Sequence, residues 1–85
     1  MSNPAITMYG TPWCGDCRRV RRLFDEHQIG YSYIDIEQDD KARQYVIDVN
    51  RGNQSVPTII FPDGSVLVEP SNSTLKQKLE LLGIA

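Results

Sequence analysis

The sequence predicts a small α/β sandwich, a mixed β-sheet flanked by three helices, and three observations carry that prediction. Short β-compatible runs alternate with amphipathic segments of helical period; the first run leads directly into a helix, which requires a parallel crossover to the second; and a Pro-Asp-Gly turn joins the last two runs as a hairpin. With 85 residues, 40% of them hydrophobic and 24% charged, the chain has the make-up of one ordinary globular domain covering residues 1–85.

Ala5-Ile6-Thr7-Met8-Tyr9 reads as the first strand, ended by Gly10-Thr11-Pro12. From Gly15 to Gln28, Cys17, Val20, Leu23, Phe24 and His27 recur at steps of three and four, the stripe of an amphipathic helix that Gly30 closes. Tyr31 to Ile36 sets Ser32, Ile34 and Ile36 against Tyr31, Tyr33 and Asp35, the alternation of a half-buried strand. Asp39 or Asp40 caps a second helix with the inner stripe Ala42, Tyr45, Val46 and Val49, and Asn50-Arg51-Gly52-Asn53 marks its end. Thr58–Phe61 and Ser65–Val68 flank Pro62-Asp63-Gly64, whose Asp-Gly supplies the positive φ angles of a tight hairpin. Pro70 stops the fourth strand, Ser71 or Ser73 caps the last helix, and Leu75, Leu79 and Leu82 form its buried stripe before Gly83.

The net charge of −2 argues against a nucleic-acid-binding domain, whose affinity would rest on broad positive charge. No apolar run approaches the roughly 18 residues of a membrane span. Residues 1–8 lack the basic start and apolar stretch of a secretory signal, so the reading places the chain in the reducing cytoplasm. There, Cys14-Gly15-Asp16-Cys17 means redox or metal chemistry. These are the only two cysteines, and the loop between them is too short for a disulfide to stabilise the fold usefully. Zinc normally takes four protein ligands; a second C-x-x-C is missing, and the single histidine, His27, lies a turn or more along the helix. The reading is therefore thiol redox chemistry, with no metal and no bound cofactor.

The thiolate is the attacking species, and an isolated cysteine with a pKa of about 8.5 supplies little of it near pH 7. At the first helical turn, free backbone N–H groups and the positive end of the helix dipole favour a negative sulfur, which assigns Cys14 as nucleophile. Arg18, four residues on, adds a cation. Cys17, one turn deeper and facing the core, is the resolving thiol. Asp16 acts in two directions, opposing a neighbouring thiolate while sitting favourably in the first turn. Arg18, Arg19, Arg21 and Arg22 are four of the nine basic residues; helical spacing allows one or two of them, Arg18 or Arg22, to face the site. Trp13, just before the nucleophile, reads as a substrate platform and Tyr9 as core.

With Ser55-Val56-Pro57-Thr58 placed after two helices and before a hairpin, the chain resembles the glutaredoxin family of the thioredoxin superfamily over essentially its whole length. The resemblance rests on the first strand, Thr11-Pro12-Trp13-Cys14-Gly15-Asp16-Cys17, Ser55-Val56-Pro57 and Phe61-Pro62-Asp63-Gly64. Val49 to Thr58, with Asp63-Gly64-Ser65 and Pro70-Ser71, is most similar to the mycoredoxins, which serve mycothiol instead of glutathione. The resemblance implies the thioredoxin/glutaredoxin fold, with sheet order 2-1-3-4 and a cis bond before Pro57. It also implies that Val56 and Pro57, beside Trp13 and Arg18, bind the incoming thiol.

Glutathione-using members carry Cys-Pro-Tyr-Cys after a basic residue and a Gly-Gly/Asp cluster before the last helix. This chain has Gly15-Asp16, Thr11 upstream and Glu69-Pro70-Ser71-Asn72, which favours mycothiol. The implied activity is thiol–disulfide exchange on mixed disulfides between client proteins and a low-molecular-weight thiol, the co-substrate. An upstream flavoprotein disulfide reductase supplies electrons directly or through that thiol, and the chain is expected to act as a monomer. Two alternatives are a redoxin that carries electrons from thioredoxin reductase to ribonucleotide reductase, and a dimer holding an iron–sulfur cluster between two Cys14 thiolates.

Overall fold

The computed structural model describes residues 6–84, in the order β1 (Thr7–Gly10), α1 (Gly15–Glu26), β2 (Ser32–Asp35), α2 (Asp40–Val49), β3 (Thr58–Ile60), β4 (Val66–Val68) and α3 (Asn72–Leu81). Ala5, assigned to the first strand from sequence, lies outside the described residues. One four-stranded mixed sheet runs in the order β2-β1-β3-β4, as expected. β1 is parallel to β2, with Gly10 opposite Asp35, and antiparallel to β3, with Tyr9 opposite Thr58. β3 and β4 form the antiparallel hairpin. No helix among the described residues is long and apolar enough to cross a membrane.

Alternation along the strands sends side chains to two layers. Ile6, Met8, Ile59 and Phe61 pack on one face against Cys17, Val20, Leu23 and Phe24 of α1 and Leu75 and Leu79 of α3. On the other face Ile36, Ala42 and Val46 gather under α2, with Tyr9 and Ile34 against them. Each large apolar side chain buried in this way stabilises the fold by about 1.5–3 kcal/mol. β2 departs from the predicted half-buried pattern, because Tyr31 and Tyr33 pack into the first layer while Ile34 and Ile36 pack into the second.

The caps resolve the sequence alternatives. Asp39 accepts the Ala42 N–H and Ser71 accepts the Thr74 N–H, so Asp40 and Ser73 lie inside their helices. All three helices end in the same reversal, in which the N–H groups of two residues beyond the cap turn back onto the last turn: Gln28 to Asp25 and Ile29 to Phe24, Arg51 to Asp48 and Gly52 to Ile47, Gly83 to Glu80 and Ile84 to Leu79. The left-handed position is occupied by Gln28, Arg51 and Gly83, with φ of 55°, 55° and 71°. The closure of α1 thus falls at Gln28, not at Gly30. His27 becomes the C-cap and is exposed, leaving the predicted apolar stripe at Phe24. Tyr45 is likewise 40% exposed, lying over Tyr9 of β1 with ring centroids 5.3 Å apart, and Val49 and Leu82 are half-buried. In the hairpin only Gly64 takes a positive φ, 85°. Asp63 instead accepts the Ser65 N–H and hydroxyl and pairs with Lys78 of α3, contacts that hold its carboxyl well below the usual range.

Candidate active site

The parallel pairing of β1 and β2 sets the loop after β1 and the loop after β2 side by side at one end of the sheet, where open α/β sheets hold their sites. Gly10 closes β1 directly beneath the thiols. A Cβ there would stand 2.8 Å from Cys17 Sγ and 3.1 Å from Tyr33 Cε1, so the close packing of Cys17 on the strand requires glycine. Thr11 accepts the Cys14 N–H at 3.4 Å, bringing the chain around into α1.

Cys14 is the N-cap of α1, with extended backbone (φ −82°, ψ 117°). Where a serine or aspartate oxygen would normally cap, its Sγ accepts the Cys17 backbone N–H at 3.1 Å. A helix N-terminus also offers the positive end of its dipole, and both effects stabilise negative charge on this sulfur. Both cysteines are free thiols; Cys14 is partly exposed and Cys17 only 1% exposed. Burial, reinforced by the neighbouring Cys14 sulfur, pushes the Cys17 thiol up to about 12, against a hydrogen bond from the Thr11 backbone that works the other way. Chemically the pair is asymmetric: one sulfur is accessible and capped by an N–H, the other buried and held as a thiol.

The opposite wall is Val56-Pro57, whose peptide bond is cis, as the resemblance implied. The Val56 carbonyl lies 3.8 Å from Cys14 Sγ. Pro57 is buried, and its carbonyl accepts the Glu69 N–H at 2.9 Å. Asn50, at the C-cap of α2, braces this segment: its side-chain amide donates to Val46 O at 2.9 Å and to Thr58 Oγ1 at 3.1 Å, while Thr58 Oγ1 donates to Ser55 O at 2.7 Å. From the sequence, Asn50 reads only as part of a helix end.

Trp13 stands beside Cys14 and is 65% exposed. Its indole Nε1 donates to Glu37 Oε2 at 2.7 Å, a contact between two loops that nothing in the local sequence announces. Of the four arginines, Arg18 reaches the site loop, donating to Pro12 O at 3.4 Å. Arg22 lines a groove between α1 and α3 with Leu23, His27 and Lys76. Arg19 bonds Asn72 and Pro70 O and lies 3.6 Å from Asp16, so the carboxylate beside the cysteines has a cation of its own. Arg21 lies over the Tyr33 ring at 4.1 Å and donates to Tyr31. Two buried hydroxyls, Thr11 Oγ1 and Tyr33 Oη, find no hydrogen-bond partner among the described residues.

Comparison with known proteins agrees with this architecture. The glutaredoxin family model matches residues 6–67. A Mycobacterium tuberculosis protein described as a candidate glutaredoxin is 43% identical over 79 residues, covering 93% of this chain and 94% of its own. Mycoredoxin 1 of Corynebacterium glutamicum is 38% identical over 82 residues, covering 96% of this chain and 99% of its own. Among solved structures, the thioredoxin-like protein BC3987 superposes with a TM-score of 0.74 at 26% identity, over 85% of this chain and 96% of that one. A wheat glutaredoxin superposes with a TM-score of 0.71 at 14% identity, over 93% of this chain and 76% of that one, a likeness of fold alone.

Proposed function

The chain belongs to the glutaredoxin family of thiol–disulfide oxidoreductases, and from that premise we propose that it reduces mixed disulfides between proteins and mycothiol, with Cys14 as nucleophile and Cys17 as resolving thiol. The observation that carries the assignment of roles is the N–H of buried Cys17 directed at the sulfur of partly exposed Cys14. The Cys14 thiolate attacks the mycothiol sulfur of the mixed disulfide. A Cys14–mycothiol disulfide forms, the client–mycothiol bond breaks, and the client thiolate leaves and takes a proton from water. A second mycothiol thiolate then attacks the enzyme-bound mycothiol sulfur, giving mycothiol disulfide and restoring the Cys14 thiolate. Alternatively Cys17 gives up its proton and attacks Cys14, forming the intramolecular disulfide and releasing mycothiol. An upstream flavoprotein disulfide reductase returns the electrons through mycothiol. In the reduced protein burial pushes the Cys17 thiol up to about 12, so the route through Cys17 requires that proton to be removed first.

Val56 and Pro57 form one wall for the bound thiol, Trp13 the other, and Arg18 holds the intervening loop through Pro12. The 38% identity with a mycoredoxin supports mycothiol over glutathione. The replacement of a Gly-Gly/Asp cluster by Glu69-Pro70-Ser71-Asn72 supports it further, since Ser71 is used as a helix cap and Asn72 as a partner for Arg19. The protein works in the cytoplasm, as a monomer. The test is a coupled assay of the oxidised protein with mycothiol and its reductase, glutathione and its reductase, or thioredoxin reductase alone. Turnover with the mycothiol system is expected; turnover with thioredoxin reductase alone would overturn the reading.

A further inference from the structure

Trp13 is held in an unusual way for the only tryptophan of a small domain. It joins none of the aromatic pairs among the described residues, is 65% exposed, and is anchored by one charge-assisted bond to Glu37. Glu37 is itself fixed, since its backbone N–H donates to Asp35 Oδ1 at 2.9 Å, and Asp35 stands opposite Gly10 in the sheet. The indole is therefore held by its Nε1 edge while most of its surface stays exposed, on the residue that directly precedes Cys14. An open aromatic face with a carboxylate at its rim suits a ligand that is apolar on one side and rich in hydroxyl donors at its edge. That is the chemistry of a sugar or cyclitol ring, whose C–H face stacks and whose hydroxyls donate to carboxylate oxygens. Glu37 Oε2 takes the indole, leaving Oε1 as an acceptor; the acidic rim of Glu37 and Asp35 disfavours a ligand carrying carboxylates of its own.

We propose that Trp13 and Glu37 form a subsite for a neutral, polyhydroxylated ring carried by the small thiol, with Glu37 also the positioning residue for the indole. This rests on the reading of the co-substrate as mycothiol, whose cysteine is linked to glucosamine and inositol, and it assigns the discrimination against glutathione to these two residues.

The experiment measures kcat/KM for one model peptide disulfide-bonded to mycothiol, to N-acetylcysteine or to glutathione, with folding of each variant checked by thermal melting. Trp13→Ala and Glu37→Ala should each lower the mycothiol-to-N-acetylcysteine preference about tenfold. Glu37→Gln, which keeps an acceptor for the indole, should lower it less, and Glu37→Lys should raise use of the glutathione disulfide relative to mycothiol. An unchanged mycothiol-to-N-acetylcysteine preference in Trp13→Ala, with the native protein active on the mycothiol disulfide, overturns the subsite alone. If the native protein fails to turn over with mycothiol and its reductase, the proposed function itself falls.

Discussion

The backbone N–H of Cys17 lies 3.1 Å from the sulfur of Cys14, so the residue that would resolve the disulfide also directs a hydrogen-bond donor at the sulfur that would start it. Replacing the Cys17 side chain leaves that N–H in place. Cys17→Ser should therefore keep de-thiolation of mixed disulfides within a few-fold of native, with a small thiol completing the cycle. Its reduction of protein dithiol disulfides, which needs both sulfurs, should fall by at least ~100-fold. Cys14→Ser should lose both activities. De-thiolation surviving in Cys14→Ser would remove Cys14 from its role.

Burial of Cys17 also makes the reduced fold sensitive to alkali. In the folded state the thiol keeps its proton up to about pH 12, whereas in the unfolded chain it loses it near the ordinary value of about 8.5. Above that value the unfolded state binds fewer protons, so stability falls as pH rises, by at most about 1.4 kcal/mol per pH unit from this one group. Tyr9 and Tyr33, raised by burial, add to the decline only above about pH 10. Urea unfolding of the reduced protein between pH 8 and pH 10 should show the falling midpoint, and Cys17→Ser should flatten it. Equal slopes in the two proteins would show that the thiol proton is not retained on folding.

Gly10 is the second place where the thiols and the sheet are coupled. A methyl group there meets Cys17 Sγ at 2.8 Å and the Tyr33 ring at 3.1 Å, and neither neighbour has free space to retreat into, one being 1% exposed and the other packed on the core. Gly10→Ala should destabilise by about 1–3 kcal/mol through overpacking. Adding Cys17→Ala, which removes the nearest clash, should restore part of that loss. A double variant that shows the full sum of the single effects would place the strain elsewhere.

How far the sequence carried is clear from which residues depend on chain neighbours and which on register. Cys14, Cys17 and the Val56-Pro57 segment stand at the ends of elements that hydrophobic periodicity and turn residues mark out, and so their positions could be read directly. Glu37 could not be. It is an exposed acid in a loop, and it meets Trp13 only because β1 and β2 pair in parallel with Gly10 opposite Asp35. Asn50 has the same history: as a turn residue it signals a helix end, while its bonds to Thr58 exist only once α2 is docked. Tyr45 and His27 fit the helical stripes by spacing, yet Tyr45 stays 40% exposed over the Tyr9 ring and His27 is exposed as the C-cap of α1. The arginines of α1 show the limit most plainly, since four identical side chains within five positions take four different sets of neighbours.

The helix ends offer a way to strengthen the fold without touching the thiols. α1, α2 and α3 close with the same pair of reversed hydrogen bonds, yet α3 uses Gly83 at the left-handed position while α1 uses Gln28 with φ 55°. A side chain with a Cβ pays about 1–2 kcal/mol there, and glycine returns some of that gain through the greater freedom of its unfolded state, about 0.4–1 kcal/mol. The Gln28 side chain is exposed and Ile29, which follows it, already supplies the buried contact of the motif. Gln28→Gly should therefore stabilise by about 0.5–1 kcal/mol, a rise of roughly 2–8 °C in Tm for a domain of this size. Gln28→Ala, which keeps the Cβ, should not show the gain, and Gly83→Ala should lose a similar amount at the end of α3. A lower Tm for Gln28→Gly would mean that the glutamine side chain contributes more to the end of α1 than its exposure allows.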